Sequence, residues 1–356
     1  MNASNPIVSN ELTKLDQILE GCEELLIIVH NNPDPDAIAS AMALGYFVEK
    51  RYQIRTSIAY GGNIGRSENR SMVNKLKVKM KQIGRIRFAK YDRIALVDTQ
   101  PGAGNNALPA EIKCHIVIDH HPPPRPINAD LIVVKPEIGV CASILIEWLN
   151  QSEIEINADL ATALSYAIIS ETQNLGREAS QRDIQAYLSV YVKSSIRKLA
   201  QIINPKLPHP HFVTLEKTLH KAVTYRNLIC AHLGAVPSAE IVAEMADFLL
   251  RHQNISWSFC TGRFKKNMFL SLRSSNQKAK AGMLIKHLVD NPKNVGGHGM
   301  LAGGYIPLNS NKREELHQLE IQLSHKFTNL MGYHNVDWKP LINHSQKSLT
   351  RSKNDR

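Results

Sequence analysis

Three short clusters between Val29 and His121 bring acids and imidazoles together: His30-Asn-Asn-Pro-Asp34-Pro-Asp36, Val97-Asp98 and Asp119-His120-His121. Mixed carboxylate and imidazole donors without thiolate suit Mn²⁺, or less specifically Mg²⁺, Co²⁺ or Zn²⁺. Two such ions about 3.5–4 Å apart would activate a hydroxide and clamp both oxygens of an in-line displacement at phosphorus. With a spacing of two, Asp34 and Asp36 can point the same way, each toward a different ion. Asp98 ends an apolar run, where its two oxygens can bridge both ions. Taken singly, Asp36 could be only a helix cap and His120 only a core histidine. The three clusters together point to a hydrolytic metal centre.

Each cluster follows a β-type run: Leu25–Val29, Ile94–Val97 and Ile116–Ile118. In an open α/β sheet the carboxyl ends of the strands converge on one crevice. The surrounding pattern fits such a sheet. Helices are expected at Leu12–Glu20, from Asp36 as N-cap through Lys50, and at Cys141–Asn150, Ala158–Ile169 and Gln181–Ala200. Strands are expected at Ile54–Ala59, at Leu76–Lys81, where Lys alternates with apolar residues, and at Leu131–Val134. The alternation predicts an α/β fold with a mostly parallel sheet flanked by helices. Three prolines within Asn204–His211 end the pattern. The expected division is a catalytic domain over 1–203, a linker and connecting helix over 204–225, a smaller α/β domain over 226–338 and a basic, disordered tail over 339–356, with a cleft between the domains. The second domain should hold a strand at Leu228–Leu233, a helix at Ala239–His252, a hairpin with apolar alternation at Ile255–Phe259 and Met268–Leu272, a helix at Ala279–Val289 and the glycine-rich Gly296–Gly304.

The chain of 356 residues carries a formal net charge of +11. A basic surface favours polyanionic partners over acidic ones. Between Arg66 and Arg93, ten Lys or Arg face only Glu68 and Asp92. The five cysteines are odd in number and form no CxxC, so they read as reduced and buried. No apolar run is long enough for a membrane span, and the start of the chain lacks a signal-peptide pattern, so the expected location is the cytoplasm, without a membrane partner.

The three clusters resemble the first motifs of the DHH phosphoesterases. The resemblance continues at Ser271-Leu-Arg-Ser274 and Gly296-Gly-His-Gly-Met-Leu-Ala-Gly303, which are similar to that family's C-terminal DHH-associated domain, and it spans roughly Leu12 to Leu308. Length and layout are nearest the nanoRNase and 3′-phosphoadenosine 5′-phosphate phosphatase branch. The resemblance implies two Mn²⁺ ions, one on His30, Asp34 and Asp98 and the other on Asp36, Asp98 and His120. It implies that His121 contacts the phosphate and that Asp119 orients a neighbouring histidine. The family's fourth motif supplies one more metal-binding Asp; here Glu171 occupies that slot, with Asn174 the alternative, so this part of the site departs from the pattern.

For substrate, the glycines Gly296, Gly297 and Gly299 could aim backbone N–H groups into an anion nest, with His298 as a further donor. Val295 and Leu301 depart there from the family's usual glycine and alanine. Arg273, on the opposite side from Leu272, is expected to offer a bidentate phosphate contact beside Ser274. Arg66 and Asn69 could reach substrate from a loop that opens a helix. The leading reading is a Mn-dependent phosphoesterase that hydrolyses oligoribonucleotides, linear dinucleotides or 3′-phosphoadenosine 5′-phosphate, with hinge closure between domains and His121 or a metal-bound water as proton donor. The alternatives are a nucleotide- or nucleic-acid-binding regulator weakened at Glu171, an inorganic pyrophosphatase of the family II type, and a processive exonuclease of the RecJ type. A homodimer stays open.

Overall fold

The apolar runs before the three clusters form neighbouring parallel strands. The computed structural model describes residues 6–176 and 179–342, and the chain divides into two units, Met1–Lys206 and Leu207–Arg356. In the first, α1 (Pro6–Leu19) leads to β1 (Glu24–Val29), α2 (Pro35–Tyr52), β2 (Arg55–Tyr60), α3 (Ser67–Lys75), β3 (Met80–Gln82), β4 (Arg93–Val97), β5 (Ile116–Asp119) and β6 (Leu131–Val134). Then follow α4 (Cys141–Gln151), α5 (Ala158–Glu171), α6 (Gln181–Tyr191) and α7 (Ile196–Ile203). The strands lie in the order β3-β2-β1-β4-β5-β6, all parallel. The chain reverses its direction of travel across the sheet between β1 and β4, which makes that point the expected binding crevice.

Both faces of this sheet are covered, which is why its strands read as continuous apolar runs. Leu25, Ile27 and Val29 pack with α2, α4 and α5 in the larger core, while Leu26 and Ile28 face a smaller core closed by Ile83, Ile86, Phe88 and Tyr91. Three local expectations change. Asp34, not Asp36, caps α2, accepting the Ala37 N–H at 3.0 Å, with Pro35 at the first helical position. The stretch Leu76–Lys81 is not one strand. Met72 and Leu76, four apart, bury on one face of α3 and its cap, Lys77 turns with φ of 53°, and only Met80–Gln82 pairs with β2. The helix expected over Gln181–Ala200 breaks between Tyr191 and Ile196, where the Ser195 N–H donates to Thr162 Oγ1 at 2.9 Å and Ser195 caps α7.

The second unit contains α8 (His209–Lys221), β7 (Val223–Tyr225), β8 (Leu228–Ala235), α9 (Glu240–Leu249), β9 (Trp257–Phe264), β10 (Asn267–Ser274), α10 (Ala281–Leu288), β11 (Val295–His298), β12 (Leu301–Pro307), α11 (Arg313–Leu330) and β13 (Lys339–Pro340). Its sheet runs β11-β12-β10-β9-β8-β7-β13 and is mixed, with β8 and β9 parallel and the other pairs antiparallel. Alternation sorts each strand between two cores: Leu228, Cys230 and Phe259 pack with α10 and α11, while Ile229, Ala231 and Cys260 pack with α9. The expected tail does not begin at Lys339, because Lys339 and Pro340 pair with Thr224 and Val223. Residues 343–356 lie outside the described residues. All five cysteines are free and buried, and no described helix is long and apolar enough to cross a membrane.

Candidate metal centre

The carboxyl ends of β1, β4 and β5 bring all three clusters together. The loop leaving β1 is held from several sides. The Asn31 N–H donates to Asn105 O and the Asn32 N–H to Gly61 O, the Asn63 N–H donates to Asn32 Oδ1 at 2.9 Å, and Asn69 Nδ2 donates to Pro33 O at 3.3 Å. Asn31 lies so close to Gly61 that a Cβ there would meet its side-chain oxygen at 1.9 Å, so a larger residue would displace the Asn31 side chain. In this loop His30 Nδ1 is 3.0 Å from the Asn31 carbonyl. A carbonyl only accepts, so Nδ1 carries the proton and Nε2 is left facing Asp34 Oδ2 at 3.3 Å and Asp98 Oδ2 at 3.5 Å.

His120 repeats the arrangement. Its Nδ1 donates to Ile138 O at 3.2 Å, and its Nε2 lies 3.5 Å from Asp98 Oδ1 and 3.8 Å from Asp36 Oδ2. Asp98 stands between the two histidines, one oxygen toward each. It sits just beyond β4 with φ of 58°, a left-handed conformation rare for non-glycine residues and characteristic of strained functional positions. Two ligand groups result, His30 with Asp34 and Asp98, and Asp98 with Asp119, His120 and His121, the donor atoms of each lying within 4.8 Å of one another. Asp119 fixes the last pair of histidines: its Oδ1 accepts the His120 and His121 N–H groups and His121 Nδ1 at 2.9 Å.

Asp36 is tied more tightly than its place in the sequence implies. Its oxygens accept the Cys141 and Ala142 N–H groups, at 2.7 and 2.8 Å, and the Ser40 hydroxyl. The carboxylate therefore anchors the N-terminus of α4, which has no side-chain cap of its own. A residue that sequence reasoning missed secures the same helix start. The fully buried Asp183 on α6 accepts the Gly139 N–H at 2.9 Å and the Ser143 hydroxyl at 2.7 Å, one residue beyond the Ile138 carbonyl that receives His120. Gln100, also missed, donates to His121 O at 2.8 Å.

Electrostatically the site is overfull of carboxylates. Burial, and then the charges of Asp34 and Glu171, push Asp36 up to about 8. Burial, and then Asp36, push Asp98 up as well. Burial opposes ionisation at Asp34 too, but the charge and hydrogen bond of His30 outweigh it and hold that carboxyl low. Burial disfavours the His121 cation, yet its bond to Asp119 and the charges of Asp98 and Asp119 raise it to about 9. Asp98 Oδ1 is buried and lacks a hydrogen-bond partner. An orphaned carboxylate oxygen between two imidazole nitrogens, amid raised carboxyls, fits a divalent cation. Glu171, the last residue of α5, lies near enough for its charge to act on Asp36. Asn174 instead lines an apolar cavity of about 330 Å³ with Leu175, Tyr187 and Tyr191.

Of the remaining candidates, Asn69 braces the metal-ligand loop and Arg66 precedes α3. In the second unit the glycine segment is a β-hairpin rather than an anion nest. Gly296 and Gly297 pair with Gly303 and Ala302, the carbonyl of Gly299 accepts the Ala281 N–H, and a Cβ on Gly282 would lie 1.8 Å from Gly297 O. Close packing against α10 uses these glycines. His298 ends β11, with its backbone opposite Leu301. Arg273 is buried, its Nε donating to Asp247 Oδ1 at 2.6 Å and its Nη1 to Leu272 O and Ala302 O. These bonds replace the exposed phosphate contact expected of it. Ser274 Oγ likewise donates to Ser256 O and accepts the Asn276 N–H.

Residues 24–168 match the model of the DHH family, N-terminal domain. The chain is 37% identical over 292 residues to an uncharacterized protein of Methanocaldococcus jannaschii, covering 80% of this chain and 58% of that one. A probable manganese-dependent inorganic pyrophosphatase of Lactobacillus gasseri is 29% identical over 148 residues, 41% of this chain and 47% of the relative. The chain thus spans about half the length of the curated relatives it matches. Among solved structures, an exopolyphosphatase-related protein from Bacteroides fragilis aligns with a TM-score of 0.71 at 16% identity, covering 91% of this chain and 98% of that one. The last comparison establishes a shared fold.

Proposed function

Residues 24–168 form a DHH-family N-terminal domain, and from that premise we propose that the chain is a metal-dependent phosphohydrolase acting on short nucleotidic phosphoesters. The observation that carries this reading is Asp98, whose carboxylate is shared by two ligand groups and keeps one buried oxygen without a hydrogen bond. His30, Asp34 and Asp98 would hold one divalent ion and Asp98, His120 and Asp36 or Asp119 the other, with Glu171 contributing from α5. Bound ions, with manganese favoured by the name of the pyrophosphatase relative, would supply Lewis-acid activation at phosphorus and neutralise the charge that develops there.

The chain's own groups do the rest. Asp119 takes His121 Nδ1–H, which leaves Nε2 as the nitrogen of the half-exposed ring not bound to Asp119. Held cationic at neutral pH, that nitrogen can donate to a phosphoryl oxygen or protonate the leaving alkoxide. The basic surface favours a polyanionic substrate.

The test is a Mn²⁺-dependent hydrolysis panel of pApA, a five-nucleotide RNA, 3′-phosphoadenosine 5′-phosphate and pyrophosphate. Nucleotide products are expected, together with a loss of roughly 10³-fold for Asp98→Asn and no turnover after chelation. Release of phosphate from pyrophosphate alone would install the pyrophosphatase reading, which the Lactobacillus gasseri relative favours. Binding without turnover in the unaltered protein would leave a regulator.

A further inference from the structure

Away from the metal centre, the first unit carries a run of unneutralised charge along one edge of its sheet. From Lys75 to Lys90 the sequence holds seven Lys or Arg and no Asp or Glu. Lys90 reaches Glu24 at 3.2 Å. The other six, Lys75, Lys77, Lys79, Lys81, Arg85 and Arg87, are exposed, and their side chains have no ion pair or hydrogen bond among the described residues. Elsewhere in this unit the exposed Lys113 sits on Asp130 at 2.8 Å and the half-buried Lys198 on Asp159 at 2.6 Å.

A charge run of this kind is often only a solvated face, but here the backbone beneath it is fixed. Val78 and Met80 pack on the larger core, and Ile83, Ile86, Phe88 and Tyr91 close the smaller one. Apolar anchors alternating with outward cations make a rail whose ordering cost is met on folding rather than on binding. The rail also connects to the metal centre. Gln82, at the end of β3, donates to Gly62 O at 2.8 Å, and the segment after Gly62 reaches the metal-ligand loop through Asn63 to Asn32 and Asn69 to Pro33. β3 and β1 are separated by one strand, which places their backbones about 10 Å apart.

We propose that this rail binds the phosphate backbone of a single-stranded oligonucleotide whose terminal phosphodiester lies at the metal centre. The proposal rests on the nucleotidic reading above and deepens it: strands of many nucleotides bind more tightly than a dinucleotide, which is too short to lie along the rail. Each phosphate neutralised releases counterions, so the signature is a steep salt dependence.

The experiment compares the full chain with a Lys79→Gln/Lys81→Gln/Arg85→Gln/Arg87→Gln variant. Binding of a labelled twelve-nucleotide single-stranded RNA is followed by anisotropy without metal, and Mn²⁺-dependent cleavage of pApA is measured separately. The variant is expected to bind the RNA at least tenfold more weakly at low salt, with the slope of log K against log salt smaller in magnitude by about 3, and to cleave pApA as the unaltered chain does. Equal RNA binding by the two proteins overturns the proposal, as does a parallel loss of pApA cleavage. Linear polyphosphate that binds as tightly as the RNA, with the same loss in the variant, overturns the assignment to nucleic acid. If the unaltered chain does not cleave pApA, the catalytic reading falls while the anisotropy still decides the rail.

Discussion

The two units treat their buried charged and imidazole groups in opposite ways. In the second, Arg273 is spent on Asp247 and two carbonyls, and His232 on the hydroxyls of Thr261 and Ser324, both at 2.7 Å. In the first, the Nε2 atoms of His30 and His120 stand 3.3–3.8 Å from carboxylate oxygens, and Asp98 Oδ1 has no hydrogen bond at all. The second unit's Arg273 and His232 close on partners of their own, whereas the first unit's candidate metal ligands converge without closing. Convergence without closure marks a place built for something the chain does not itself contain.

The sharpest probe of that contrast is a residue of the first unit that does close. Asp183 holds Gly139 and Ser143, and through the adjacent Ile138 carbonyl it sets the orientation of His120. Asp183→Asn is expected to weaken Mn²⁺ binding by roughly 10–100-fold in calorimetric titration, the usual cost of losing a group that orients a metal ligand. Ser180→Ala, which removes the cap of α6 but leaves the Gly139 contact, should cost less. Equal Mn²⁺ affinity in all three proteins would detach His120 from this support.

A second probe belongs to the other unit. Arg273→Met removes the bonds to Asp247 and Ala302 while keeping much of the buried stem. Denaturant unfolding should show a loss of about 2 kcal/mol, the scale of a lost charge-assisted hydrogen bond, with KM for any nucleotide substrate unchanged. If stability holds and KM rises tenfold, Arg273 is a ligand residue and the contrast between the units breaks there.

The same contrast explains what could be read from the chain alone. The metal clusters were legible because a parallel sheet sends the carboxyl ends of β1, β4 and β5 to one place, whatever the rest of the fold does. The α/β class was legible from fully apolar strands alternating with helices. What failed depended on partners distant in sequence. Nothing near Asp183 announces Gly139 or Ser143, and nothing around Arg273 announces Asp247. The glycines of Gly296–Gly304 suggested anion binding because their other use, close approach to Gly282 and Ala281 of α10, exists only in the folded unit. At Leu76–Lys81 the alternating lysines imitated a strand, but the burial of Met72 and Leu76 followed helical spacing and decided the structure. Asp34 and Asp36 exchanged capping roles because Pro35 suits the first helical position better than it suits a cap.

The smallest expected effect separates the units by the sign of their pH dependence. Burial raises Asp36 to about 8 and Asp98 with it, so without metal the folded first unit keeps protons that the unfolded chain releases near pH 4. The contribution of these two carboxyls is then greatest below that pH and falls as pH rises toward about 8; the raised His121 extends the fall toward about 9, while the depressed Asp34 acts only below the ordinary carboxylate range. Burial lowers His232 to about 4, so between about 4 and 6.5 the unfolded second unit binds the extra proton there. The contribution of His232 to stability rises with pH and is complete above that window, outweighing the opposite drift from the half-buried, raised Glu320. Each titrating group contributes at most about 1.4 kcal/mol per pH unit. Hydrogen exchange, corrected for intrinsic rates, should show metal-free β1, β4 and β5 losing protection from pH 5 to 6.5 while β8, β9 and α11 gain it. Saturating Mn²⁺ should reverse the first trend, because ligation requires deprotonated carboxylates and grows stronger as pH rises. Parallel trends in both units, with or without Mn²⁺, would mean that the crowding at Asp98 is relieved within the fold itself, and the case for a cation there would lose its electrostatic support.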